Sequence, residues 1–480
     1  MKIWEFKMQS AKCEVQSDGR SSNLQSVICN LQSAIPLSIS LLVCSLLTAI
    51  CSLASALPLY RDSLSNGLIV ITFEEPRLPV VDIGFTCRSG SAAEPGDRGG
   101  LANLTVSLLN RGAAGMSGDS IASIIDFLGA RYNAGAGLDQ SGLSLRVLAK
   151  DWTQGLDLLT QVVRRPAFDA KEIEQARALQ VAGLRRTFDN PGALVRHEFN
   201  RLLYAGHPYA RSPQGDTLTT PSIRREDIVA FHQTHFVPNN CFVIAVGDIK
   251  RADFLAQVNA GFADWQPGTV PAFEVPELKY PDKLRVKLIT RPEMNQTYVQ
   301  FGSPGISITD PDMLAARLGA YALGGSALSS RLGIAVREKE GLAYDVRAVF
   351  DRNRYPGAFW ASVQTARPRE AIELMFREIQ TIYDSGATQA ELARAHNYYT
   401  GSFPLNYSSN EGKLESAVLI ELHHLGYDWL DKFPERIRAV TLDDIRAALR
   451  RHLQPGHYIM VVLGNVTKDD LGFKDVEWID

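Results

Sequence analysis

Chemistry at a protein site needs nucleophiles, proton carriers or metal donors spaced so that they converge, and this chain offers few such groupings. His232 and His235 lie three residues apart in DIVAFHQTH, a spacing that puts both on one face of a helix. Glu421 precedes the adjacent His423 and His424, but neighbouring helix residues point different ways, and this is not a spacing that a peptidase zinc site uses. Each of these histidines reads as a solvated or hydrogen-bonded helix residue. Gly324-Gly325 is not followed by Gly-Lys-Ser/Thr, which excludes a phosphate loop of the Walker type. No Gly-x-Ser-x-Gly nucleophile motif occurs. Cys87 and Cys241 sit in apolar, strand-like runs without His or Cys company at metal-ligand spacing. They read as buried free thiols, with a disulfide left open should the compartment be oxidising.

The elements that would carry any site belong to an ordinary globular chain. Its 480 residues are 45% hydrophobic and 21% charged, too many for one core and enough for about two to four domains. A net charge of -3 and scattered Lys and Arg give no concentrated basic surface, and so no nucleic-acid partner. The N-terminus stands apart. Residues 35–58 read IPLSISLLVCSLLTAICSLASALP, uncharged throughout and ending in Ala54-Ser55-Ala56. This pattern implies a signal peptide within residues 1–56, cleavage near Leu57 and export, periplasmic in a bacterial cell. The alternative is a retained anchor through residues 35–56. Cys13, Cys29, Cys44 and Cys51 all precede the cleavage point.

Two stretches repeat one another. DIVAFHQTHFVPNNCFVIAVG from Asp227 and DIRAALRRHLQPGHYIMVVLG from Asp444 share one register. It matches Asp227 to Asp444, His235 to His452, Pro238 to Pro455 and Gly247 to Gly464 at a constant interval. Each reads as an amphipathic helix, a Pro-containing turn and an apolar strand ending in Gly. A duplication follows, with halves at 57–264 and 284–480 joined by the Pro-rich linker 265–283. Within each half, strands such as GLIVITFEE and VVDIGFTC alternate with helices such as residues 169–189. Asp169 and Glu172 stand there at the spacing of a capping box. The fold class is α+β, antiparallel or mixed sheets with helices packed on one face.

The order of these segments resembles the insulinase/pitrilysin family of zinc metallopeptidases over nearly all of residues 60–465. Four stretches carry the likeness: LSNGLIVITFEEPRLPVVDIGFTCRSGSAAEPGDRGGLAN, Asn133-Ala134 after Gly129-Ala130, HFVPNNCFVIAVGDI, and LGGSALSSRLGIAVREKEGLAYDV. The resemblance implies two metallopeptidase-like halves closing as a clamshell. It also implies a zinc site built from His-x-x-Glu-His on the helix after the glycine turn and a later glutamate. In this sequence Asn103 stands at the first histidine, Val106 at the general base, Ser107 at the second histidine and Gly183 at the third ligand. None of the four supplies the group that the chemistry needs.

Other expected features are retained. The family's Arg and Tyr, held to stabilise substrate backbone and oxyanion, match Arg337 and Tyr344 in VREKEGLAY. An ion pair of Arg337 with Glu338 or Glu340 and a half-buried Tyr344 is the purely structural alternative. Asn133 and Ala134 match the strand edge that receives substrate. The turn at Gly324-Gly325 looks like an ordinary glycine-serine turn, shorter than the glycine-rich loop of the family's noncatalytic processing subunits. By this resemblance the chain binds no cofactor and no metal of its own. It lends Arg337 and Tyr344 to a zinc-bearing homologous subunit acting on peptides. The other expectations are a catalytically inactive peptide-binding or chaperone-like protein, a homodimer if no zinc partner exists, and a scaffold subunit of an envelope complex.

Overall fold

The computed structural model describes residues 59–272 and 275–479. The leader at 35–56, its cleavage motif and the four N-terminal cysteines lie outside the described residues. Leu57–Asp480 forms one compact unit.

The first half runs β1 (Leu59–Ser63), β2 (Ile69–Glu74), β3 (Val80–Cys87), α1 (Leu101–Ser107), the short β4 (Gly112–Ala113) and β5 (Met116–Ser117), and α2 (Gly118–Phe127). It continues with β6 (Arg131–Ala136), β7 (Ser141–Leu148), α3 (Trp152–Arg164), α4 (Ala170–Phe188), α5 (Pro191–Leu203), α6 (Arg225–His235), β8 (Cys241–Gly247) and α7 (Arg251–Phe262). The second half runs β9 (Arg285–Thr290), β10 (Thr297–Pro304), α8 (Met313–Gly324), a π-helical segment Gly333–Lys339, β11 (Ala343–Phe350), β12 (Ala358–Thr365) and α9 (Pro368–Ser385). It ends with α10 (Gln389–Asn406), α11 (Asn410–His423), α12 (Trp429–Ala439), α13 (Leu442–His452), β13 (Ile459–Gly464), α14 (Lys468–Leu471) and β14 (Glu477–Ile479).

Each half builds a six-stranded sheet, in the orders β1-β2-β8-β3-β7-β6 and β11-β12-β10-β13-β9-β14. Read from opposite ends, five strands recur in one topology: β2 corresponds to β9, β8 to β13, β3 to β10, β7 to β12 and β6 to β11. The pairs β2–β8 and β9–β13 are parallel, while β3 and β10 are antiparallel to both neighbours. The sheets are therefore mixed, each flanked by helices, as the duplicated pattern requires.

Where one covered face per sheet was expected, both faces are covered. The central strands IVITFE, CFVIAVG and IMVVLG are apolar at successive positions, so neither face can be left to water. Val70, Val243 and Ala245 pack against the first half's own helices. Ile69, Ile71, Phe73, Phe242, Ile244 and Val246 point the other way, onto Ala417 and Ile420 of α11 from the second half. The exchange is mutual. Val195, Phe199 and Leu203 of α5 lie against Ala358, Trp360, Ile459, Val461 and Leu463 of the second sheet. Fully burying one such side chain is worth about 1.5–3 kcal/mol, so these two crossings join the halves.

Ion pairs pin both helices. Glu421 on α11 is 3% exposed and accepts from Arg88 at 2.5 Å, from Arg61 at 3.1 and 3.2 Å, and from the Tyr427 hydroxyl. Lys413, buried one turn into α11, pairs with Glu75 after β2. On the other side, Glu198 of α5 meets Lys287 of β9 at 3.3 Å, and the Arg196 guanidinium lies 4.5 Å from the centre of the Trp360 ring. A third tie joins the β6–β7 turn to the β11–β12 loop. The Tyr209 hydroxyl donates to Asp139 at 2.6 Å and accepts from the Tyr355 amide at 3.2 Å.

One local expectation needs correction and another holds. Asp169 precedes α4, but its side chain makes no capping bond, and the Glu172 side chain, which would supply the reciprocal half of the box, turns instead to Arg111 at 3.3 Å. Cys87 and Cys241, paired across β3 and β8, are the buried free thiols that the sequence suggests; both are directed at the His235 carbonyl.

Replacing Glu421 with Gln leaves the Arg88 guanidinium buried against a neutral partner. Breaking a buried pair costs about 3–5 kcal/mol, so the denaturant midpoint should fall by a corresponding amount. The Glu75 carboxyl is held at about 2, chiefly by the Arg77 guanidinium and also by Lys413, against an opposing push from burial. Its folded pKa lies below the unfolded value of 4.5. The stabilisation it gives is therefore complete above pH 4.5 and lost as pH falls from there through about 2. Glu75→Gln should remove that component from a titration of unfolding free energy, while stability above pH 5 drops and becomes less acid-dependent.

Candidate functional site

The positions at which the sequence lacks zinc ligands come together in space. Helix α1 starts at Gly100, whose φ of 90° suits glycine, and an added Cβ would meet the Gln180 amide nitrogen at 2.6 Å. Glu94 caps this start. Its two oxygens accept from the Gly100 and Ala102 amides at 3.0 and 2.8 Å. Burial pushes its carboxyl up to about 8, against the pull of those amides and of Arg211. α1 is thereby held against α4, and Asn103, Ser107 and Gly183 line one pocket of about 600 Å³.

Around Asn103 the pocket offers amide and hydroxyl groups, and Arg111, Arg196 and Arg211 also reach its lining. Asn103 donates to the Gln180 side-chain oxygen at 3.2 Å, and the Gln180 nitrogen donates to the carbonyls of Gly100 and Gln214 at 3.0 and 2.9 Å. Ser107 donates back to the Leu104 carbonyl at 2.8 Å. A Cβ on Gly183 would touch nothing within 4 Å. Val106 does not line the pocket; it is wholly buried in the first half's core. One imidazole, His197 on α5, reaches the lining and packs on the Phe188 ring at 4.7 Å. Zinc needs three or four N, S or O donors converging tetrahedrally, and this set does not fit it.

Among the described residues one grouping has metal-like proximity: Asp310, Asp312 and His452. Asp312 is already engaged, accepting from Arg451 at 2.6 and 2.7 Å and contacting His452 at 2.9 Å. That cluster ties α13 to the start of α8. His232 bonds the Val163 carbonyl at 2.8 Å, and His235 packs on Phe231. Both are buried scaffold residues.

Asn133 and Ala134 lie on β6, which among the described residues pairs with β7 alone and so leaves one edge of its backbone without a strand partner. They open onto a cavity of about 1060 Å³ between the halves. β6, β7 and their turn line it on one side; Arg317 and Tyr321 of α8, Ala348–Phe350 of β11, Arg352, and α10 and α11 line the rest.

Arg337 and Tyr344 stand elsewhere. The Arg337 guanidinium lies 4.5 Å from the centre of the Tyr344 ring, which is 81% exposed. Among the described residues Arg337 makes no ion pair, with Glu338, Glu340 or any other acid. Neither side chain lines the cavity or the pocket at Asn103. Sequence reasoning missed Glu421, Lys413 and the Tyr209–Asp139 tie, whose partners are remote in the chain. It also assigned nothing to Arg317 and Arg352.

Two family models match the chain: "Insulinase (Peptidase family M16)" over residues 69–215 and "Peptidase M16 inactive domain" over 222–399. The chain is similar to an uncharacterized zinc protease of Streptomyces coelicolor, 26% identical over 81% of this chain and 86% of that one. It is also similar to the non-peptidase homolog YmxG of Helicobacter pylori, 22% identical over 86% and 95%. A crystal structure described as a peptidase M16 inactive domain, from Pseudomonas fluorescens, superposes with a TM-score of 0.79 at 29% identity, covering 86% of this chain and 98% of that one.

Substituting Val106 with Glu should not restore a site. It buries a carboxylate without a partner, at a cost on the order of 3–5 kcal/mol. Thermal unfolding should show a large loss of stability, and added zinc should recover none of it.

Proposed function

The chain belongs to the insulinase (M16) peptidase family, and from that premise we propose that it is the non-zinc-binding subunit of a two-chain metallopeptidase. The observation that carries this reading is the separation of its functional groups. The pocket at Asn103, Ser107 and Gly183 holds one imidazole, His197, and no converging set of zinc donors, while the half-buried Arg337 stacks on the exposed Tyr344 ring away from that pocket, with no ion pair among the described residues. A family likeness that includes a non-peptidase homolog agrees with a chain inactive on its own.

In this proposal the partner is a homologous chain carrying His-x-x-Glu-His, and any zinc belongs to it. Arg337 and Tyr344 would act across the interface. An arginine fork and a phenol stabilise a developing oxyanion more than the carbonyl it forms from, so they lower the barrier. β6 would hold the substrate by backbone pairing, which fixes register without demanding one sequence. Export through the N-terminal apolar segment is part of the same proposal.

A second reading has its own support. The free β6 edge and the cavity belong wholly to this chain, so it could hold extended peptides by itself without cutting them.

Co-expression with a zinc-motif homologue from the same organism tests the first reading on a quenched peptide library. Activity should require both chains and fall about 100-fold or more with Arg337→Ala or Tyr344→Phe, as when one oxyanion donor is removed. A stable complex indifferent to both substitutions would reduce the chain to a scaffold. Full activity from the homologue alone, with no complex on mixing, would favour the second reading.

A further inference from the structure

The cavity wall carries two arginines without an acid to pair with. Arg317 projects from α8 and stacks over the Tyr399 ring at 4.3 Å. Arg352 follows β11 and lies within electrostatic reach of Arg317, Tyr399 and Tyr407. Enclosure by protein and the like charge of Arg317 both push the Arg352 guanidinium down. Tyr407 feels both cations. Neither arginine has a hydrogen-bond or ion-pair partner among the described residues. Among the described residues Glu415 is the one acid in the lining, and it makes no ion pair with either arginine.

Two guanidinium groups near one another on a cavity wall repel, and here Arg352 is exposed and Arg317 half-buried. The buried cations elsewhere have carboxylates: Arg88 has Glu421, Arg331 has Glu391 and Lys413 has Glu75. Arg317 and Arg352 instead open onto the same cavity as the edge of β6. Guanidinium forks match a carboxylate in geometry and charge, and neighbouring phenols can donate to its oxygens.

We infer that Arg317 and Arg352 form a carboxylate-binding subsite of the chamber, which anchors an acidic group of an extended peptide laid along β6. This rests on the chamber holding peptide, a feature common to both readings above. The carboxylate comes either from the peptide's C-terminus or from an Asp or Glu side chain.

Fluorescence anisotropy of the purified chain with three labelled peptides of one neutral sequence separates the cases. One peptide has a free C-terminus, one is amidated with a central Glu, and one is amidated and neutral. A charge-assisted hydrogen bond corresponds to about tenfold or more in affinity. At least one carboxylate peptide should therefore bind about tenfold tighter than the neutral peptide, and which one does so identifies the source. Arg317→Gln with Arg352→Gln should abolish the preference, so that the variant binds all three peptides alike. Arg317→Lys with Arg352→Lys should keep part of it, with circular dichroism and the melting temperature confirming that both variants fold. Equal affinity for all three peptides overturns the subsite while sparing the chamber. So does a preference that survives in the Gln variant. Failure of every peptide to bind overturns the chamber and the subsite together.

Discussion

The structure depends on the mutual exchange of two helices. α5 belongs to the first half by sequence and covers the second sheet; α11 belongs to the second half and covers the first. Central strands apolar on both faces make this exchange obligatory, since an uncovered face would expose a row of Ile, Val and Phe. The buried cluster of Glu421 with Arg88 and Arg61 orients α11 rather than driving it into place. Apolar contact supplies the net stabilisation, and a buried ion pair returns little beyond its own desolvation.

With the halves fixed in this way, the space between them becomes a chamber whose walls are set by the exchange. α11 both seals the first sheet and contributes Leu414 and Val418 to the cavity. The β6 edge opens onto that cavity, and Tyr209 with Asp139 anchors the turn beyond it to the opposite half. A chain whose pocket at Asn103 lacks a converging set of zinc donors therefore keeps a strand edge and a cavity beside it.

Much of this was legible in the sequence, and the reasons are local. Repeated Asp, His, Pro and Gly at constant offset exposed the duplication, because a helix–turn–strand unit needs those residues at fixed places. The absence of donors at Asn103, Val106, Ser107 and Gly183 was legible from residue type alone. Less could be read wherever the partners were distant. Glu421 looked like a companion of two histidines, yet its ligands Arg61 and Arg88 lie more than three hundred positions away. The capping box at Asp169 matched its pattern, yet Asp169 makes no capping bond and Glu172 pairs with Arg111, a partner remote in the chain. The one-face expectation passed over the uniformly apolar central strands, which imply burial on both faces, and nothing in those strands says that the second cover comes from the other half.

The central claim is that the chamber receives an extended peptide along β6. Amide hydrogen exchange across residues 131–136, with and without saturating peptide, addresses it directly. The outward-facing amides of β6 should exchange markedly more slowly with peptide bound, as a new strand pairs with them. Unchanged exchange there, with peptide demonstrably bound, would contradict the account and place the peptide elsewhere on the molecule.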